Sequence, residues 1–123
     1  MNIRESGEDY LETILMLCSE HGSARSVDIA ARLGVSKPSV SFAMKKMREN
    51  GYILMGDDNR ITLTPAGEAI ARRVLERHDL LCTMFMHLGV SEETARADAC
   101  KIEHDLSDET FEAIRRHLNT FGK

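Results

Sequence analysis

The sequence predicts a mainly α-helical protein carrying one small β-hairpin, and three observations predict it. Apolar residues recur at helical spacing through most of the chain. Most such runs open on Ser, Thr or Pro and close near Gly, and one pair of short β-prone runs flanks a turn cluster. Composition agrees: of 123 residues four are Phe, two Tyr and none Trp, so aliphatic side chains and seven Met must fill the core. That favours packed helices over a β-sandwich.

Residues from about Ser6 to His21 carry Leu11, Ile14, Leu15, Leu17 and Cys18 at helical spacing, with Gly22 as the stop. SARSVDIAARLGV reads as a short second helix with Ser26 as N-cap, Val27, Ile29, Ala30 and Leu33 as its apolar positions, and Gly34 as the turn. SKPSVSFAMKKMRENG repeats the device. Ser36 is the N-cap, Pro38 sits in the first turn, and Val40, Met44 and Met47 fall at i, i+4 and i+7 before Gly51. YILM and RITLT, separated by GDDN, read as a two-stranded hairpin.

Thr64 and Pro65 open a fourth helix running to about Leu88 and stopped by Gly89. Ser91 caps a fifth to about Leu106. Ser107 caps a sixth through Phe111, Ile114 and Leu118, ending near Gly122. Two short helices joined by a Gly turn, with a helix before and a hairpin after, make the order of a winged helix-turn-helix. Residues 1–64 are therefore expected to form that module as a DNA-binding domain, and residues 65–123 a separate helical domain. Leu75, Leu80, Leu81, Met84, Phe85, Phe111 and Ile114 give the second domain apolar surface for a homodimer.

Sixteen Lys plus Arg against twenty Asp plus Glu give a net charge of −4, which excludes a polycation that coats nucleic acid or membrane. No run reaches the roughly 18 apolar residues of a membrane helix, and MNIRESGEDY lacks a signal-peptide core, so the cytoplasm is the expected compartment and no membrane partner is expected. Three widely spaced cysteines, Cys18, Cys82 and Cys100, do not make a disulfide framework. Each is a buried thiol, a reactive thiol or a ligand.

With Val40, Met44 and Met47 turned inward, the third helix presents Pro38, Ser41, Phe42 and Lys45 outward, with Lys46 and Arg48 flanking. Small hydroxyls can approach base edges and phosphates, and an exposed aromatic edge can meet a thymine methyl. Lys37, Lys45, Lys46 and Arg60 can neutralise phosphates. The ordinary alternative is a solvated polar face with Phe42 in the core. Residues 1–64 carry eight basic and nine acidic side chains, so attraction to DNA depends on their orientation, and binding should be salt-sensitive and weak without a dimer.

Cys100, Glu103 and His104 fall on one face of the fifth helix, Asp9 and Glu12 form an i, i+3 carboxylate pair on the first, and His78 lies on the fourth. Taken singly, each has a bland reading: Asp9 as a capping-box partner of Ser6, Glu12 as a solvated acid, His78 as a packed histidine, Cys100 as a small buried hydrophobe. Together they offer a thiolate, three carboxylates and two imidazoles. That set suits a borderline divalent transition metal rather than calcium or magnesium, and is too scattered for a zinc finger.

EDYLETILML, VDIAARLGVSKPSVSFAMKKM, GYI, LTPAGEAIARRVLERHDLL and CKIEHDLS together resemble the metal-dependent repressors that include the diphtheria toxin repressor and the manganese transport regulator. The resemblance runs over nearly the whole chain, with no room for the SH3-like domain of longer members. It implies a winged helix-turn-helix domain, a helical metal-binding and dimerisation domain, and metal-activated repression of iron or manganese uptake genes. By position, Asp9, Glu12, His78, Glu103 and His104 match ligands of the manganese-responsive subgroup, whereas Cys100 stands where that subgroup has glutamate and the iron-responsive subgroup has cysteine. Asp9 in turn replaces the iron subgroup's methionine. Of the iron subgroup's ancillary site only His78 remains, since Cys82 and Arg96 stand in place of a glutamate and a histidine. One metal per chain and a binuclear pair sharing Glu12, His78 and Glu103 both stay open. The resemblance places Ser36, Lys37, Pro38, Ser39, Ser41 and Phe42 at the DNA surface, Phe42 replacing a polar residue of the iron subgroup.

The expected cofactor is iron(II) or manganese(II), the thiolate tilting the set slightly toward iron, with zinc(II) or cobalt(II) binding in vitro. Metal tying the first helix to the fourth and fifth would fix two recognition helices of a dimer on operator half-sites about 34 Å apart or a multiple of it. Metal activation should weaken as pH falls toward 6, because thiol and imidazoles must lose protons to coordinate. One alternative is a winged-helix regulator that senses a small ligand or the oxidation of Cys100 or Cys82. A more distant one is a metal-dependent hydrolase. The absence of a phosphate-cradling Gly loop or nucleophile elbow argues against an enzyme and against a small-molecule substrate.

Overall fold

A computed structural model describes residues 5–121, with side chains from 7 to 120. The element order is α1 (Glu5–His21), α2 (Ser26–Leu33), α3 (Lys37–Glu49), β1 (Ile53–Met55), β2 (Ile61–Leu63), α4 (Pro65–His87), α5 (Glu92–Ile102) and α6 (Asp108–Phe121). This is the mainly helical architecture the sequence predicts. The Ser6 capping contact and the end of α6 near Gly122 lie outside the described residues. Contacts divide the chain into two compact units, Met1–Arg72 and Arg73–Lys123.

In the first unit Leu11, Ile14, Leu15 and Leu17 of α1 are buried with Ile29, Val40, Met44, Met47, Ile53 and Ile61. Ser36 caps α3 as expected, its hydroxyl accepting from the Ser39 amide, and Gly34 ends α2 at φ 68°, a left-handed conformation that glycine adopts without strain. The strands pair antiparallel, Ile53 opposite Leu63 and Met55 opposite Ile61. Ala24 joins them: its N–H donates to Ile61 O at 2.9 Å and its carbonyl accepts from Ile61 N at 2.7 Å. That bridge corrects one expectation. It holds the chain extended through Arg25, so Arg25 takes the N-cap position at φ −120°, ψ 149°, without a side-chain bond, and Ser26 becomes the first helical residue.

The start of α4 is locked to the hairpin. Thr64 Oγ1 donates to Gly51 O at 2.7 Å and accepts from Gly67 N at 3.2 Å, while Thr64 N donates to Tyr52 O at 3.1 Å. A Cβ at Gly67 would lie 2.1 Å from that same Tyr52 oxygen. Gly67→Ala ordinarily favours a helix by about 1 kcal/mol. Here overpacking against backbone is expected to reverse the sign and destabilise by about 1–3 kcal/mol. A lowered urea midpoint is the expected result, and an unchanged or raised midpoint would show that the contact relaxes without cost.

In the second unit Leu81, Cys82, Ala95 and Ala99 form the core, with Phe85, Val90, Ile102, Leu106 and Ile114 packed against it. Leu81 and Phe111, expected at a dimer surface, are buried, because α5 and α6 must cover α4 before any partner does. Helix α5 ends at Ile102 rather than near Leu106. The buried Arg77 guanidinium donates to Glu103 O at 3.3 Å and Leu106 O at 2.7 Å, taking carbonyls that a continuing helix would give to its own amides.

Candidate metal centre and nucleic-acid interface

On α3, burial of Val40, Met44 and Met47 leaves Ser36, Lys37, Pro38, Ser39, Ser41, Phe42, Lys45 and Lys46 exposed. Phe42 is 62% exposed and so is not core; the Lys46 ammonium stands 4.8 Å from its ring centroid. Ser36 Oγ also donates to Ser39 Oγ at 2.8 Å, so these two hydroxyls serve the cap and set the first turn. Arg60 is exposed on the hairpin but pairs with Asp58 at 3.0 Å, and a phosphate would have to displace that carboxylate.

A groove of about 580 Å³ opens beside α3, lined in part by Arg25, Ser26, Ser41, Lys45, Arg48 and Asn59. Ser41, Lys45 and Arg48 line it at i, i+4 and i+7, one stripe of a helix. Sequence reasoning missed Arg25. Its signal was available, a basic residue directly before a helix start, but reading Ser26 as the cap set the boundary one residue late.

Within the second unit, α4 and the end of α5 bring three donor types together. One donor atom each from His78, Cys100 and Glu103 lies within 4.8 Å of the others. Glu103 Oε2 is 3.0 Å from His78 Nδ1, Glu103 Oε1 is 3.3 Å from His104 Nε2, and Cys100 Sγ is 3.7 Å from His78 Nδ1. The Glu103 side chain is 1% exposed and that of His104 3%, whereas Cys100 is exposed. Glu103 and His104 stand in the turn after α5 rather than on the helix. Glu103 keeps helical dihedrals, φ −59° and ψ −27°, and donates its N–H to Ala99 O, so its i, i+3 relation to Cys100 survives. Burial holds the His78 imidazole below its ordinary pKa of 6.5; Asp79 opposes the shift and Arg96 adds to it. The neutral, coordinating form is thereby favoured.

A thiol, an imidazole and a buried carboxylate with a second imidazole at its other oxygen fit a borderline divalent transition metal. Asp9 and Glu12 lie on α1 in the first unit, one helical turn apart. Arg96 pairs with Glu92 at 3.3 Å along α5. Cys82 is a core residue, its Sγ 4.0 Å from Met86 Sδ, and burial pushes the Cys18 thiol pKa up. No helix among the described residues is long and apolar enough to cross a membrane.

Two family models match the chain: the N-terminal DNA-binding domain of iron-dependent repressors over residues 2–58, and their metal-binding and dimerisation domain over residues 64–123. The transcriptional regulator MntR of Salmonella typhimurium is 46% identical over 119 residues, covering 97% of this chain and 76% of that protein. Among solved structures, the manganese regulator SloR superposes with a TM-score of 0.81 at 28% identity over 97% of this chain. IdeR of T. acidophilum gives 0.79 at 28% identity over 94%. The chain spans about half the length of those two solved chains, 55% and 54%.

Proposed function

The chain belongs to the iron-dependent repressor family of metal-dependent DNA-binding transcriptional regulators, not enzymes, and on that premise we propose that a divalent first-row metal activates its homodimer for operator binding as a repressor. The observation that carries this is the convergence of His78, Cys100 and Glu103 donor atoms within 4.8 Å. His104 joins through the shared Glu103 carboxylate, and Asp9 and Glu12 are proposed to complete the set from α1. Without metal, His78 Nδ1 is held 3.0 Å from Glu103 Oε2 and His104 Nε2 3.3 Å from Glu103 Oε1, and burial keeps the Glu103 side chain in place. A bound divalent metal would be held by these side chains and would supply a cross-link among them. The ligands then bias the dimer toward the arrangement in which both α3 helices reach the major groove. Metal at 100 times its dissociation constant contributes about 2.7 kcal/mol per independent site, roughly a hundredfold in population.

Manganese(II) is favoured by the carboxylate-rich set and by the relatives, of which SloR is a manganese regulator. Iron(II) is the second reading, favoured by Cys100. The test is fluorescence anisotropy of an operator duplex selected from random sequence, with each metal and with chelator. We expect a gain on the order of a hundredfold on adding metal, reversed by chelator. Because the His78 pKa is lowered, its coordination should persist below pH 6.5 and weaken only once the pH falls through the depressed value. DNA binding indifferent to metal and chelator would defeat the proposal.

A further inference from the structure

Arg77 is placed next to the candidate metal ligands without being one of them. Its buried side chain reaches across from α4 to the turn after α5. One terminal nitrogen donates to the carbonyls of Glu103, at 3.3 Å, and Leu106, at 2.7 Å, while the other pairs with Asp108 at the start of α6. Its guanidinium carbon lies 5.0 Å from the Phe111 ring centroid, and Arg115, itself paired with Glu76, lies 4.9 Å from the same ring.

We propose that Arg77 is the positioning residue of the metal centre: it fixes the turn 103–106 that aims Glu103 at His78 and sets His104 against the other Glu103 oxygen. The inference rests on the metal-sensing reading above. The physical reason is geometric. Glu103 still donates its N–H to Ala99 O, but its carbonyl and the turn that follows lie past the last residue of α5, and Arg77 holds the carbonyls of Glu103 and Leu106 there. Arg77 is adjacent in sequence to His78, so the same turn of α4 sets one ligand and grips the backbone that carries two others. A planar guanidinium can satisfy two carbonyls and a carboxylate at fixed angles; a lysine ammonium on a flexible stem cannot hold the same fork. Loss of such a supporting partner typically costs a metal site about 10–100-fold in affinity.

The experiment is an anaerobic cobalt(II) titration of the full chain, following affinity and the visible d–d spectrum, which reports coordination geometry. Variants are Arg77→Lys, Arg77→Met, Asp108→Asn and Arg115→Met, each checked for folding by its melting curve. Arg115 serves as the control because it shares the Phe111 stack but donates nothing to the 103–106 turn. The expected result is a cobalt affinity about 10–100-fold lower and a changed d–d spectrum for Arg77→Lys, with a smaller change for Asp108→Asn. Arg115→Met should lower the melting temperature while keeping affinity and spectrum. If the Arg77 variants do not fold, Asp108→Asn decides, since the Asp108 side chain is exposed and its loss leaves no cavity. Folded variants with wild-type affinity and spectrum would overturn the positioning role alone. A wild-type chain that binds no cobalt would overturn both this role and the metal-sensing reading.

Discussion

Cys100→Ser is expected to abolish the near-ultraviolet thiolate-to-cobalt charge-transfer band while leaving the protein folded. Cys100 is exposed and 3.7 Å from His78 Nδ1, so replacing sulfur by oxygen leaves no buried cavity and changes chiefly the donor. A hydroxyl is a much poorer ligand than a thiolate for cobalt(II), zinc(II) or iron(II), but the change is felt less by manganese(II), which is suited to oxygen donors. Affinity for cobalt should therefore fall by at least about tenfold, about 1.4 kcal/mol, and by less for manganese. The wild-type titration also counts sites, one or two metals per chain. A band that survives in Cys100→Ser would remove Cys100 from the ligand set. No tight binding by the wild type would promote the thiol-oxidation reading. That reading would then rest on Cys100, since Cys82 is a core residue and burial raises the Cys18 thiol pKa.

How much of this was legible in the sequence depends on the range of the interaction concerned. Ser36, Ser91 and Ser107 announce their helices because each hydroxyl serves an amide three residues on, at 3.2, 3.4 and 3.2 Å, and such bonds are local. Val40, Met44 and Met47 reveal the buried face of α3 for the same reason, their spacing being that of the helix. The misplaced cap of α2 and the early end of α5 have non-local causes. The first is set by the Ala24–Ile61 bridge, 37 residues apart by subtraction of their numbers, and the second by Arg77 gripping carbonyls 26 and 29 residues away. Neither leaves a periodic trace. Cys100 and Glu103 are different: their separation of three suggests a shared face, and that holds although the helix stops between them, because Glu103 keeps helical dihedrals.

Phe42→Ala and Lys45→Ala are expected to weaken operator binding in separable ways, which makes the exposed face of α3 testable as a reader of sequence. Lys45 lines the groove and carries a charge on a flexible stem, a phosphate contact by character. Its removal should weaken binding on every sequence and reduce the salt slope by roughly 0.9 per protomer, about 1.8 for the dimer. Phe42 carries no charge, so its loss should leave the slope unchanged. What its exposed ring can supply is contact with a thymine methyl, and Lys46 at 4.8 Å from the centroid restrains the ring for that contact. Burying one methyl is worth about 0.8 kcal/mol, roughly fourfold in affinity per half-site. Replacing the contacted thymine by deoxyuridine in a selected operator should therefore weaken the wild type by that factor and leave Phe42→Ala unaffected. If Phe42→Ala and the wild type respond alike to every thymine-to-deoxyuridine change, the ring reads no methyl. A reduced salt slope in Phe42→Ala would instead mean that its role is to hold Lys46 against a phosphate.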